Sequence, residues 1–100
     1  MAACELTDDF RLLGEAVDFD EADALKARGC ALIEAATTAV RVDLGGLERA
    51  STITVAVLLA WYRAARSNDK AIEFVNLSSD LRNIVRFSGL DPVLLDAGDS

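Results

Sequence analysis

The sequence of 100 residues contains no histidine and only two cysteines, which narrows the chemistry open to the chain. Cys4 and Cys30 lie far apart and form no CxxC pair, so we expect free thiols and no zinc site. A serine or threonine nucleophile needs a neighbouring base, and neither Lys26 nor Lys70 stands in a catalytic motif. We therefore predict no enzymatic activity, no metal and no cofactor.

Long apolar runs are also absent from the sequence. The longest, residues 55–62, falls far short of the roughly 20 residues that a membrane-spanning helix needs. The segment MAACELTDDF has no basic region followed by an apolar stretch, so we expect no signal peptide. We expect a cytoplasmic protein with no direct membrane insertion. Because 52% of the residues are hydrophobic, the chain can pack one domain over residues 1–100.

Basic residues are outnumbered by acidic ones, 10 to 17, for a net charge of −7. Because contacts with phosphate groups need clustered lysines and arginines, this charge argues against nucleic acid and anionic lipid surfaces as partners. The acidic run from Asp18 to Asp23 lacks the glycine and the closing glutamate of an EF-hand calcium loop. Gly45 and Gly46 are not followed by the lysine of a phosphate-binding P-loop.

Hydrophobic periodicity predicts the order strand, strand, helix, strand, helix, strand, helix. The predicted segments are strands at 10–13 and 16–19 bent around Gly14, a helix within 18–39, a strand at 40–44 ended by Gly45-Gly46, a helix at 51–67, a strand at 71–77, and a helix that starts at Ser78 or Ser79 and ends at Gly89. Strands that alternate with helices predict an α/β fold, with a mixed β-sheet and helices packed mainly on one face.

The helix at 51–67 is apolar on two sides. One side carries Val55, Leu58, Leu59 and Tyr62; the other carries Ile53, Val57, Ala60 and Ala64, with Trp61 at its edge. A helix that packs on a sheet in a two-layer domain buries one side only. The second side is therefore covered either by another element of the chain or by a partner protein, and we favour the partner.

Several segments resemble the STAS domain, which occurs in the tails of sulfate transporters and in anti-sigma-factor antagonists. The resembling segments are VRVDL, STITVAVLLAWYRAAR, AIEFVNL and SSDLRNIVRFSGLDPVL. The most specific pieces are Asp43-Leu44 and the tail around Ile84, Val85, Ser88, Gly89 and Leu90. The resemblance covers nearly the whole chain and implies a STAS-like mixed sheet.

Two branches of that family fit a small acidic domain. The antagonists are phosphorylated by a kinase on a motif Asp-Ser/Thr-x-Gly at a helix start. Here Thr52 matches the hydroxyl position, while Ser51 and Thr54 replace the Asp and the Gly. This resemblance implies an anti-sigma factor kinase as the partner and phosphorylation at Thr52 or Ser51. One of these three hydroxyls is also expected to cap the helix.

The other branch is MlaB, the cytoplasmic STAS subunit of the ABC transporter that maintains outer-membrane lipid asymmetry. The segments FRLLGEAVDF and AVLLAW resemble it. This resemblance implies docking on the ATPase subunit at the inner-membrane face, with Thr52 in the contact, and it is the function we favour. The predicted partner-binding residues are Ser51, Thr52, Ile53, Thr54, Val57 and Trp61. A lipid-carrier role is a weaker alternative, since so small a domain has little room for a ligand cavity.

Overall fold

Four strands and three helices alternate along residues 4–37, 39–87 and 89, the part of the chain that the computed structural model describes. They are β1 (Cys4–Leu6), β2 (Arg11–Gly14), α1 (Phe19–Ala35), β3 (Val40–Leu47), α2 (Thr52–Ser67), β4 (Ile72–Val75) and α3 (Ser79–Phe87). The three predicted helices and the strands predicted at 10–13, 40–44 and 71–77 are confirmed as elements, whereas β1 was not predicted. The resemblance drawn from Ser88 and Leu90 falls on residues outside the described part.

The strands form one mixed sheet in the order β1-β2-β3-β4. β1 runs antiparallel to β2, whereas β2, β3 and β4 are mutually parallel neighbours. Along β3, Val40, Val42 and Leu44 are buried, while Arg41 between them is exposed and bonds Glu73 of β4 at 2.5 Å. One face of the sheet is therefore packed and the other carries charges, as the predicted α/β fold requires.

The first hairpin lies earlier in the chain than predicted. β1 and β2 are joined by a tight turn, in which Thr7 N–H donates to the Arg11 carbonyl and Phe10 N–H donates to the Thr7 carbonyl, both at 3.0 Å. The strand predicted at 16–19 is wrong, because Asp18 forms a capping box with Glu21 and so starts α1. Gly14 ends β2 with a positive φ of 137° instead of bending a hairpin.

The glycine pair after Asp43 does not end the third strand, contrary to the prediction. The pairing between β2 and β3 shifts by one residue, from Arg11 opposite Asp43 to Leu13 opposite Gly46. A Cβ atom at Gly46 would overlap the Leu13 side chain. The glycines therefore allow β3 to continue through an irregularity against β2, up to Leu47.

The second apolar side of α2 is buried within this chain at Val57 and Trp61, so the prediction that a partner covers these two residues is wrong, whereas Ile53, Ala60 and Ala64 on the same side stay partly exposed. Val57 and Trp61 are both fully buried. The Trp61 ring lies against Gly29, where a Cβ atom would overlap it, and its indole N–H donates to the Leu25 carbonyl at 3.0 Å. Because α1 and α2 lie side by side on the sheet, α2 is enclosed on two sides within this chain.

Candidate functional site

The first turn of α2 is held by two of its three hydroxyl side chains. Ser51 is the N-cap, and its Oγ accepts a bond from the Thr54 N–H at 3.4 Å. In return, Thr54 Oγ1 accepts from the Ser51 N–H at 3.2 Å. Thr54 is fully buried. The predicted cap is confirmed, and it uses Ser51 and Thr54 as a reciprocal pair.

Thr52 is the hydroxyl that remains accessible. It occupies the first helical position and is exposed, and within the described residues its side chain makes no hydrogen bond. The free backbone N–H groups of the helix start lie beside it, where partial positive charge favours an anion or an acceptor group. Thr52 is thus the group at this site that can meet a partner or be modified.

The residues predicted to bind a partner do not all lie on one surface. Thr52 is exposed, and Ser51 and Ile53 are partly exposed. Thr54, Val57 and Trp61 have no exposed surface: Thr54 closes the cap, Trp61 packs against α1, and Val57 belongs to the hydrophobic core. The predicted surface therefore reduces to Ser51, Thr52 and Ile53, and their role in binding a partner stays a prediction.

An exposed aromatic residue that the sequence analysis missed lies next to this surface. Phe19, the first residue of α1, is 76% exposed. It lines a groove of about 360 Å³ between the starts of α1 and α2. The other lining residues are Asp20, Ala22, Asp23, Lys26, Ile53 and Ala56. We call this the Phe19 groove. The sequence signal that could have revealed Phe19 is the capping motif at Asp18. This motif makes the next residue the first of a helix and not the last of a strand.

Asp43, in the middle of β3, bonds both to its own strand and to the residue that follows β4. Its Oδ1 accepts from the Gly45 N–H at 2.8 Å and from Asn76 Nδ2 at 3.1 Å. These two bonds, with a smaller contribution from the Arg11 guanidinium, lower the pKa of the Asp43 carboxyl. Asn76 is held with a positive φ of 60°. Asp43 thus ties the middle of β3 to the segment that follows β4.

Neither cysteine lies in an environment that activates its thiol as a nucleophile. Burial, together with the nearby Glu21 carboxylate, raises the pKa of the Cys4 thiol to about 11. Burial also raises the pKa of the Cys30 thiol. A thiol with a raised pKa holds little of the nucleophilic thiolate at neutral pH. Both cysteines are free, and their packing role is the one that the contacts support.

The described part of the chain contains neither a metal-binding cluster nor a membrane-spanning helix. No cluster of three or more histidine, cysteine, aspartate or glutamate side chains there could hold a metal ion. Over the same residues, no helix combines the length and apolar character needed to cross a bilayer. What the site offers is therefore a surface: a free hydroxyl, a partly exposed aliphatic side chain and an exposed aromatic ring.

Two solved structures share this arrangement of sheet and helices. One, from Thermotoga maritima, is provisionally described as an anti-sigma factor antagonist; it has a TM-score of 0.68 and 12% identity, over 91% of this chain and 80% of that chain. The other is the anti-sigma factor antagonist SpoIIAA in its unphosphorylated form, with a TM-score of 0.64 and 19% identity, over 91% of this chain and 83% of that chain. At these identities the similarity shows a common fold.

The sequence itself matches a family model. The model is described as "Mlab, STAS domain", and it matches residues 11–96, which include every helix and three of the strands described above. No curated protein matches the chain. With the family model covering most of the sequence and the fold shared with the two solved structures, the chain belongs to the STAS domain family.

Proposed function

We propose that this STAS domain is a non-enzymatic subunit that docks on the ATPase subunit of an ABC phospholipid transporter, at the cytoplasmic face of the inner membrane. The observation that carries the proposal is the accessible start of α2, where Thr52 is exposed and the next residue, partly exposed Ile53, lines a groove together with the exposed Phe19. The matching family model, which is described by the name of the transporter branch, supports this assignment.

The physical argument is that the start of α2 leaves apolar and hydroxyl side chains accessible next to each other. Further along, Val57 and Trp61 are fully buried and have no surface to offer a partner. At the start, an aliphatic and an aromatic side chain are left in water next to a hydroxyl that can donate or accept a hydrogen bond. Apolar side chains beside a few polar groups are typical of the centre of a protein interface.

The test is to replace Thr52 with glutamate and measure co-purification with the ATPase subunit. Because the Thr52 side chain is exposed and makes no hydrogen bond with a described residue, the variant is expected to keep the fold and to lose the partner. Thr37→Glu is the matched control, since Thr37 is an exposed threonine just beyond the far end of α1. If Thr52→Glu retains the ATPase subunit at wild-type yield, the docking site is wrong.

A second candidate function is an anti-sigma factor antagonist controlled by phosphorylation. Both solved structures reported above are described as proteins of that class. The free hydroxyl of Thr52 favours this residue over Ser51 as the acceptor, because the Ser51 hydroxyl is engaged in the cap. Incubation with the cognate anti-sigma factor kinase and ATP, followed by intact-mass measurement, separates the two functions. One added phosphoryl group that Thr52→Ala removes favours the switch.

A further inference from the structure

We propose that the Phe19 groove receives a partner segment in which one large apolar side chain stands next to a lysine or arginine. The inference rests on the proposed docking function and names the chemistry of the segment that docks. It adds the start of α1 to the predicted docking surface of Ser51, Thr52 and Ile53 at the start of α2. Two properties of the groove lead to it: apolar side chains open to water, and carboxylates without a counterion.

The apolar part of the groove comes from both helices. Phe19 is 76% exposed, and Ile53 and Ala56 line the opposite wall with partly or fully exposed side chains. The packing of Trp61 against Leu25 and Gly29, further along, holds the two helix starts side by side. An apolar side chain that enters between these walls removes its own surface and that of the Phe19 ring from water.

The acidic part of the groove is formed by Asp20 and Asp23. Both side chains are exposed, and neither joins any of the ion pairs found among the described residues. Asp20 lies in the first turn of α1, where the helix dipole favours a negative charge. Asp23 lies beyond that turn, so the helix dipole does not explain why a negative charge stands at this position.

The charge of the lining decides which flanking residue fits. Asp20 and Asp23 outnumber the single cation, Lys26, and the whole chain carries a net charge of −7. A lysine or arginine beside the apolar side chain is therefore attracted both locally and at a distance, whereas an acidic segment or a phosphate surface is repelled.

A second copy of the chain is the competing occupant. Phe87 at the end of α3 is 93% exposed and follows Arg86, so it has the same chemistry as the proposed segment. The net charge of −7 opposes association of two copies, which favours a different protein as the partner. The experiment therefore includes self-association as an outcome that overturns the proposal.

The experiment measures the affinity of the full chain for the purified ATPase subunit at low and high salt. Asp20→Asn/Asp23→Asn is expected to weaken binding about three- to tenfold at low salt, with a smaller salt dependence than wild type. Phe19→Ser is expected to weaken binding about tenfold at both salt concentrations, because it removes an apolar contact. Glu5→Gln/Glu34→Gln is the matched control, since it changes the net charge equally at exposed positions outside the groove.

A peptide measurement tests the groove independently of the ATPase subunit. Synthetic peptides with a phenylalanine between lysines, or between glutamates, are titrated into the isotopically labelled full chain. The lysine peptide is expected to shift the amide signals of Ile53 and Ala56, and the glutamate peptide is expected to leave them unchanged. Equal shifts from both peptides, or none from either, would refute the groove chemistry whatever the ATPase subunit does.

The remaining outcomes separate this inference from the proposed function. If Thr52→Glu releases the ATPase subunit while both groove variants bind like the charge-matched control, the groove inference fails and the docking function stands. If Thr52→Glu and the groove variants all bind like wild type, the docking function fails, and the peptide titration alone decides the groove. Concentration-dependent shifts without peptide that Phe87→Ser abolishes would assign the groove to a second copy and overturn the proposal.

Discussion

Replacing Gly29 with alanine tests the packing that encloses α2. The substitution adds one methyl group at a buried point of α1 where the Trp61 ring already lies. In an exposed helix the same change would be favourable, because alanine has a higher helix propensity than glycine. Because the Trp61 ring lies so close, we expect alanine at this position to destabilise the protein instead. The sign of the change in the free energy of unfolding therefore tests the contact between Gly29 and the Trp61 ring.

The magnitude follows from three opposing contributions. Overpacking a core with an extra methyl group costs about 1–3 kcal/mol. Displacing the ring weakens the bond from the Trp61 indole N–H to the Leu25 carbonyl, which adds about 1 kcal/mol. Helix propensity returns about 1 kcal/mol. The net expectation is a loss of about 1–3 kcal/mol in the free energy of unfolding, or a fall of about 5–15 °C in Tm for a domain of this size.

The assay is thermal and urea unfolding of four proteins: wild type, Gly29→Ala, Trp61→Leu and the double variant. Trp61→Leu alone is expected to cost about 2–4 kcal/mol, because it leaves a cavity between α1 and α2. In that background the methyl group finds space, so Gly29→Ala should become neutral or stabilise by up to about 1 kcal/mol. A wild-type protein that tolerates Gly29→Ala, or an equal loss in both backgrounds, would refute the assigned contact.

Three other predictions concern single side chains. Lys70→Met should lower the free energy of unfolding by about 1–2 kcal/mol in urea denaturation, because the Lys70 ammonium donates bonds of 2.6 and 3.0 Å to carbonyls at the end of α1. Asp43→Asn should lower stability at neutral pH by less than about 1 kcal/mol, and this difference should vanish in acid. The sign follows because the lowered pKa of Asp43 gives a stabilisation that is present above the unfolded value and is lost as the pH falls through the folded value. In a Cys30→Ser variant, Cys4 should resist iodoacetamide at pH 8, as judged by intact mass, until urea unfolds the chain; a pKa of about 11 leaves roughly one thiol in a thousand ionised.

Helix starts could be predicted from the sequence because their signals are local. Asp18 and Ser51 cap α1 and α2, and Ser51 is one of the three hydroxyl residues expected to cap its helix. At α3, Ser78 Oγ accepts from the Leu81 N–H at 3.1 Å, as the predicted start there requires. Each of these bonds joins residues within one helical turn, so a short stretch of sequence contains both partners.

The glycines were misread because their reasons lie in distant parts of the chain. Gly29 lies inside α1, where glycine is a poor helix former, yet the Trp61 ring of another helix leaves no room there for a Cβ atom. Gly45 and Gly46 suggested the end of a strand, yet Gly46 lies opposite Leu13 at a shift in register. No pattern within either segment contains these contacts.

The candidate site was predicted in part. The start of α2 and the exposed Thr52 follow from the capping pattern and the family resemblance. Phe19 was missed because its segment was interpreted as a strand, and Val57 and Trp61 were included because α2 was treated as a helix with one neighbour. A count of apolar faces does not say how many neighbours a helix has.

By itself the sequence determined the order of elements from α1 onward, the capping of α2 and α3 and the alternation of buried residues along β3 and β4, since each depends on residues close together in the chain. The tertiary structure alone decided what covers α2. The placement of α1 beside α2 buries Val57 and Trp61 and brings Phe19 next to Ile53. Side-by-side packing of two helices depends on contacts between residues far apart in sequence, and so it is settled only when the whole chain folds.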